Sequence, residues 1–141
     1  MLKPNTACKY TAEGREEIHK NLKFSKSVIS VLHMLSKEEI YDKSIEYYDN
    51  RISLFAAQYG KCAVTGKELW IDEIHCHHKL PQYLGGTDEY SNLVIVHKDV
   101  HKLIHAVSKN TINAYLTLIK PSKVMLDKIN KLRIIAGNAV I

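Results

Sequence analysis

Histidine is concentrated in one short part of this chain. Six of the eight histidines lie between positions 75 and 105. Imidazole is both a common ligand for divalent metal ions and a proton acceptor near neutral pH, so a cluster predicts metal or acid-base chemistry. A single histidine is more often a core or surface residue, and we assign His19 and His33 to that class. The clustered residues are His75, His77, His78, His97, His101 and His105.

Two pairs in this cluster have spacings that indicate separate tasks. His101 and His105 are four residues apart, so on a helix their imidazoles share one face and can approach the same ion. His77 and His78 are adjacent, and neighbouring side chains of an extended strand point to opposite sides. One of them is expected to be a metal ligand and the other a general base with a pKa of about 6.5. Their spacing alone does not assign the two roles.

The elements that must position these histidines follow from turn residues and apolar patterns. Thr65-Gly66 indicates a turn, and residues 69–78 are rich in β-compatible side chains. Pro81 and the segment 85–88 indicate a loop, 92–96 a short buried strand and 99–107 a helix. The predicted order around the histidines is therefore strand, loop, strand and helix.

Helices are predicted on both sides of this unit. Apolar residues with helical spacing predict a helix over 25–35. Ser36 followed by Glu39 has the form of a capping box, which predicts a second helix from Ser36 toward Tyr48. A third helix is expected to begin near Ile52 and end at Gly60, and two more follow residue 108 on either side of a proline. The whole pattern predicts an α+β fold.

The length and charge of the chain suggest how these parts are organised. With 141 residues, we expect a helical N-terminal extension over 1–58, a catalytic module over 59–107 and a basic helical extension over 108–141 packed on it. The net charge of +5 is concentrated after position 101, where seven Lys and Arg residues stand against one acidic residue. Such a segment either neutralises nucleic-acid phosphates or forms a solvated helical face, and charge alone does not separate these readings.

Membrane and disulfide-rich classes are disfavoured by the remaining composition. We find no apolar stretch long enough for a signal peptide or a membrane span, so we expect a cytoplasmic protein without a membrane partner. The three cysteines are odd in number and widely spaced, which favours free thiols in a reducing compartment.

The segment around the histidines resembles the motif of HNH nucleases. The matching stretches are 73–81, 85–88, 91–93 and 101–105, and the three motif letters correspond to His78, Asn92 and His101. The resemblance implies a ββα-metal core flanked by helices, with His78 as general base and a divalent ion bound by His77 and His101. It also implies that Asn92 pins the loop carrying the base. His105 fits an additional ligand or a phosphate contact.

Three flanking stretches are similar to the C-terminal region of bacterial group II intron reverse transcriptase/maturases. They are 50–55, 60–66 and 131–138. This resemblance implies an endonuclease that hydrolyses phosphodiester bonds of DNA during intron mobility, with intron RNA as a possible partner. It suggests magnesium or manganese as the working ion, while imidazole ligands also suit zinc or nickel.

Two other functional classes compete with a nuclease. One is a catalytically silent nucleic-acid-binding remnant of an intron-encoded maturase, against which the retained histidine and asparagine set argues. The other is a zinc-binding adaptor. Many HNH proteins carry two Cys-x-x-Cys pairs, but the corresponding positions here are Cys62/Thr65 and His97/Val100. A four-cysteine zinc site is thus excluded, and a buried thiol is favoured over a partial site at Cys62, Cys76 and His97.

Five lysines are candidates for contacts with nucleic-acid phosphates. Lys79 and Lys102 lie next to proposed site histidines, so they are expected to contact phosphates that neighbour the scissile one. The other three belong to the basic C-terminal segment and would bind phosphates without reading sequence. The alternative for all five is a solvated surface position. The three C-terminal lysines are Lys123, Lys128 and Lys131, which we call the tail lysines.

Overall fold

A computed structural model describes residues 26–38 and 43–141, and in these ranges five α-helices surround a two-stranded antiparallel sheet. This confirms the predicted α+β class. No helix in the described ranges is long and apolar enough to cross a membrane. The elements in chain order are α1 (Lys26–Lys37), α2 (Ile45–Ala57), β1 (Ile74–His78), β2 (Leu93–His97), α3 (Lys98–His105), α4 (Lys109–Ile119) and α5 (Lys123–Ile135).

The hairpin and the helix after it carry most of the clustered histidines. β1 pairs with β2 from Ile74 opposite His97 to His78 opposite Leu93, and the loop 79–92 connects the two strands. α3 begins directly after β2, so strand, loop, strand and helix follow one another as predicted. The first strand is shorter than the predicted 69–78. Residues 71–73 form a 3-10 turn instead, closed by a 2.8 Å hydrogen bond from the Trp70 N–H to the Glu73 carboxylate.

The capping box predicted at Ser36 is wrong. α1 continues through Ser36 to Lys37, and the Ser36 hydroxyl donates to the carbonyl of His33 one turn earlier. Glu39, its proposed partner, lies outside the described residues. The helix begins instead after Ser44, whose side chain accepts from the Tyr47 N–H, and it runs unbroken to Ala57. In the described residues 43–60, one helix therefore spans positions that were predicted to belong to two.

A single hydrophobic core joins the flanking helices to the hairpin. Gly60 ends the α2 region with a φ of +70°, and a Cβ there would meet Val28 of α1 at 2.7 Å, so this close packing needs glycine. Because the same core contains residues from all three predicted parts of the chain, the described helices pack as one unit with the hairpin. Its fully buried members include Val31, Leu35, Phe55, Ile95, Leu103, Ile104 and Ile129.

Arg133 ties the last helix to the end of α3. Its guanidinium is buried and donates to the carbonyl oxygens of Leu103 at 2.6 Å, Ile104 at 3.3 Å and Ala106 at 2.9 Å. These groups belong to the C-terminal end of α3, where carbonyls lack partners within the helix and the helix dipole is negative. α5 therefore stabilises the helix that presents His101 and His105.

Candidate metal centre

The two faces of β1 present different chemistry. His75 and His77 face α3, where the rings of both contact the ring of His101. Cys76 and His78 face α2, where the His78 ring stacks on Tyr47 at a centroid distance of 5.6 Å. Alternation along an extended strand causes this separation, and it confirms that the adjacent His77 and His78 point to opposite sides.

Three histidines converge on one point. His77 of β1 and His101 and His105 of α3 each offer a ring nitrogen, and these atoms all lie within 4.8 Å of one another. Their ring planes cross at 64° to 67°, so the nitrogens can point inward without the rings stacking. Nitrogen ligands about 2.1 Å from one ion lie roughly 3 to 4 Å from one another. The separations here are at most 4.8 Å, and rotation of the exposed His105 side chain can shorten them. The triad can therefore hold a metal ion.

His77 is a buried imidazole whose chemistry fits a metal ligand. Its side chain is 1% exposed, and neither ring nitrogen has a hydrogen-bond partner among the described residues. Leaving a buried polar group unpaired costs about 1–3 kcal/mol, so such groups normally have a partner. A metal ion within the triad would provide that partner for one of the two nitrogens.

The electrostatics of the triad favour neutral imidazoles. Burial, followed by the neighbouring histidines, lowers the pKa of His77 and of His101 to about 3. Burial, followed by the charge of Arg133, also lowers the pKa of His105. An imidazole binds a metal ion only in its unprotonated form, so these three side chains are ready to do so near neutral pH.

His78 is held by a carboxylate that the sequence analysis did not single out. Its Nε2 lies 2.7 Å from Oδ1 of Asp88, in the loop between the strands. The other oxygen of Asp88 accepts a 2.6 Å hydrogen bond from the Ser44 hydroxyl at the start of α2. This bond, followed by the one from His78, lowers the pKa of Asp88. A cavity of about 490 Å³ is lined by His78 and by the whole triad.

Asn92 connects the two ends of the loop 79–92. Its side chain accepts from the Leu80 N–H at 2.9 Å, donates to the Leu80 carbonyl at 3.1 Å and donates to the Thr87 carbonyl at 2.8 Å. Leu80 lies two residues after His78, and Thr87 immediately precedes Asp88. Asn92 therefore fixes the backbone beside both members of the His78–Asp88 pair.

The candidate lysines lie in two separate places. Lys102 lines a second cavity, of about 540 Å³, together with His75, His101 and His105. Lys79 follows β1 directly, and its charge contributes to the lowered pKa of His77. The tail lysines are exposed along α5, and none of them lines either of these two cavities. The structure thus brings Lys79 and Lys102, but not the tail lysines, to the histidines.

His97 and the described cysteines form no metal group with one another. The ring of His97 caps α3 by accepting from the Asp99 N–H, and its other nitrogen lies 3.1 Å from the Glu73 carboxylate. The Cys62 sulfur accepts backbone N–H groups, including that of His97 at 3.3 Å. Burial raises the pKa of the Cys76 thiol to about 11, as expected for an inert thiol. The expectation of buried free thiols is confirmed for Cys62 and Cys76, and Cys8 lies outside the described residues.

Several residues at the site were not predicted. The sequence places 85–88 in a loop and among the stretches that resemble the HNH motif, but it indicates no role for Asp88, which contacts a histidine ten positions earlier. Ser44 and Tyr47 come from the N-terminal helical part, and Lys43 lies 5.3 Å from the Tyr47 ring at the edge of the same cavity. His75 was counted in the cluster without a role, and its ring stacks on His101 at 3.6 Å.

No known protein family, no curated protein and no solved structure matches this chain.

Proposed function

We propose that this protein is a metal-dependent endonuclease of the HNH type that hydrolyses phosphodiester bonds in DNA. One observation carries the proposal. The buried imidazole of His77, which has no hydrogen-bond partner among the described residues, converges with His101 and His105, while the adjacent His78 reaches the same cavity from the opposite face of the strand. A ligand set and a separate base on neighbouring residues are what metal-assisted hydrolysis requires.

The order of the elements supports a ββα-metal core. β1, the connecting loop, β2 and α3 follow one another without insertion of another α-helix, and His77, His101 and His105 come from the first strand and the helix. This is the arrangement that the sequence resemblance implies. His105 belongs to the ligand set in this proposal, as the third converging imidazole.

The chain's own residues account for three needs of phosphodiester hydrolysis. The imidazole of His78 accepts the proton of the attacking water. His77, His101 and His105 would hold a divalent ion, which would supply positive charge for the scissile phosphate and the departing 3′ oxygen. Lys102, beside His101 in the second cavity, neutralises a neighbouring phosphate, and Lys79 does the same on the side of His77.

DNA as the substrate, and a relation to group II intron mobility with intron RNA as a further partner, are the most specific parts of the proposal. They rest on the sequence resemblance. The net charge of +5 and the exposed tail lysines are compatible with a polyanionic partner outside the catalytic cavity. We expect Mg²⁺ or Mn²⁺ to support activity, and Zn²⁺ or Ni²⁺ to compete for the same imidazoles.

A plasmid-nicking assay with four single variants tests this function. The unaltered protein should nick supercoiled DNA with Mg²⁺ or Mn²⁺ and stop in EDTA. His78→Ala should lower the rate by roughly 10²- to 10⁴-fold while calorimetry still detects manganese binding. His77→Ala and His101→Ala should weaken manganese binding itself. His33→Ala, which removes an exposed histidine on α1, is the matched control and should change neither property.

Three results would contradict the proposal. Nicking that persists in EDTA would remove the metal from the reaction. Normal manganese binding by His77→Ala and His101→Ala would place the ion elsewhere. DNA binding without nicking in any of the four metals would instead identify the chain as a silent nucleic-acid-binding remnant.

A further inference from the structure

We infer that Asp88 is a positioning residue for His78, and that it makes Nδ1 of His78 the atom that accepts the proton. This role rests on the proposed function, in which His78 is the general base. The inference adds Asp88, which is not one of the three motif letters, and it identifies Nδ1 as the reacting atom of the base. It also gives the start of α2 a part in the site, because Ser44 contacts the same carboxylate.

The contacts of Asp88 leave its side chain little freedom. Oδ1 accepts from His78 Nε2 at 2.7 Å and, more distantly, from the Gln82 amide at 3.4 Å. Oδ2 accepts from the Ser44 hydroxyl at 2.6 Å. The backbone carbonyl of Asp88 accepts from the Asn50 amide of α2 at 2.9 Å. The carboxylate is therefore oriented from α2 on one side and presented to His78 on the other.

The direction of these hydrogen bonds determines the tautomer of His78. An ionised carboxylate only accepts hydrogen bonds, so the His78 nitrogen beside it must carry the hydrogen. Nε2 is thus the donor, and a neutral imidazole then has its free lone pair on Nδ1. Stacking on Tyr47 holds the plane of the ring as well, with an angle of 12° between the two rings. Nδ1 is the only nitrogen of His78 left to take a proton from water.

Because Ser44 contacts the Asp88 carboxylate, replacing one oxygen of Asp88 with nitrogen should change the tautomer of His78. Its oxygen accepts from the Tyr47 N–H as the helix cap, so its hydroxyl hydrogen is the one available for Asp88. In Asp88→Asn, the orientation that keeps the Ser44 hydroxyl as a donor places the amide oxygen toward Ser44. The amide NH₂ group then faces His78 Nε2, which has to become an acceptor. The hydrogen moves to Nδ1, and the base is blocked although its ring stays in place.

The test compares steady-state nicking with Mg²⁺ by the 141-residue chain in three variants. For Asp88→Asn we expect kcat to fall by roughly 10²- to 10⁴-fold with KM nearly unchanged, since the substrate contacts remain. The double variant Ser44→Ala with Asp88→Asn frees the amide to rotate, so its oxygen can accept from Nε2 again and kcat should recover at least about tenfold. Glu89→Gln removes the same charge from the exposed neighbouring position and should retain full activity.

A second measurement reads the tautomer directly. Long-range proton–nitrogen correlation spectra of isotope-labelled protein show which imidazole nitrogen carries the hydrogen. We expect Nε2–H for His78 in the unaltered protein and Nδ1–H in Asp88→Asn, with circular dichroism and thermal melts confirming that each variant is folded. Two results would overturn the role of Asp88 and leave the proposed function standing. One is a folded Asp88→Asn variant with an unchanged kcat, and the other is an Nδ1–H tautomer of His78 in the active unaltered protein. If the unaltered protein nicks with no metal at all, both fail together.

Discussion

Replacing Asn92 with alanine should destabilise the fold by an amount that the structure allows us to estimate. The substitution removes three side-chain hydrogen bonds, two to the backbone of Leu80 and one to Thr87. Each is worth about 0.5–1.5 kcal/mol net, and the site is half-buried, so water can partly replace them. We therefore expect the free energy of unfolding to fall by roughly 2 to 4 kcal/mol. Urea denaturation followed by circular dichroism measures this loss.

Two companions make the Asn92 experiment decisive. Asn113→Ala removes an exposed asparagine from α4, where alanine is the better helix former, so stability should stay constant or rise by a few tenths of a kcal/mol. Asn92→Asp keeps an acceptor for Leu80 but loses both donors, so it should be at least as unstable as Asn92→Ala. If Asn92→Ala lost less than about 0.5 kcal/mol, the size of one weak hydrogen bond, Asn92 would not be holding the loop.

Three further substitutions and one surface variant test other parts of the structure. Gly86→Ala should destabilise the protein far more than Gly85→Ala in urea melts, because a Cβ at Gly86 would overlap the Leu80 carbonyl whereas Gly85 only has a positive φ. Arg133→Met should cost about 3 kcal/mol or more and weaken manganese binding, whereas Lys131→Met at the surface should do neither. The depressed pKa of Asp88 stabilises the fold above its unfolded value of about 3.9, so the stability gap to Asp88→Asn should close as pH falls through the folded pKa. Reversing the charge of the tail lysines should weaken DNA binding and make it less dependent on salt concentration. An unchanged salt dependence would indicate that these lysines only form a solvated helical face.

Local periodicity explains why the histidine geometry could be predicted. Residues four positions apart share one face of any helix, so His101 and His105 had to be neighbours once α3 formed. Their ring centroids lie 4.5 Å apart. The opposite orientation of His77 and His78 likewise follows from strand alternation alone. That His77 completes a triad with the α3 pair depends in addition on the register of β1 against β2, which no local pattern specifies.

The error at Ser36 has a physical cause. A capping box spans only four residues, and Ser36 with Glu39 matches it fully, whereas Ser44 supplies only the first residue of the pattern. The choice between them is made by burial, because Val28, Val31 and Leu35 form one continuous buried stripe that keeps the chain helical through Ser36. Ser44 gains a second contact that a capping pattern cannot reveal, its hydrogen bond to Asp88 forty-four residues away.

The hydrogen bond between Ser44 and Asp88 also shows why a sequence motif alone is weak evidence for an intact site. A chain could keep His77, His78, Asn92 and His101 while losing Asp88, and its motif letters would still read as a nuclease. In that chain, the proposed base His78 would lack the carboxylate that we infer selects its tautomer, and under that proposal it would work only in the fraction of molecules with a free Nδ1. An unbroken connection from Ser44 through Asp88 to His78 is therefore better evidence against a decayed remnant than the motif letters themselves, because it depends on residues that only the folded chain brings together.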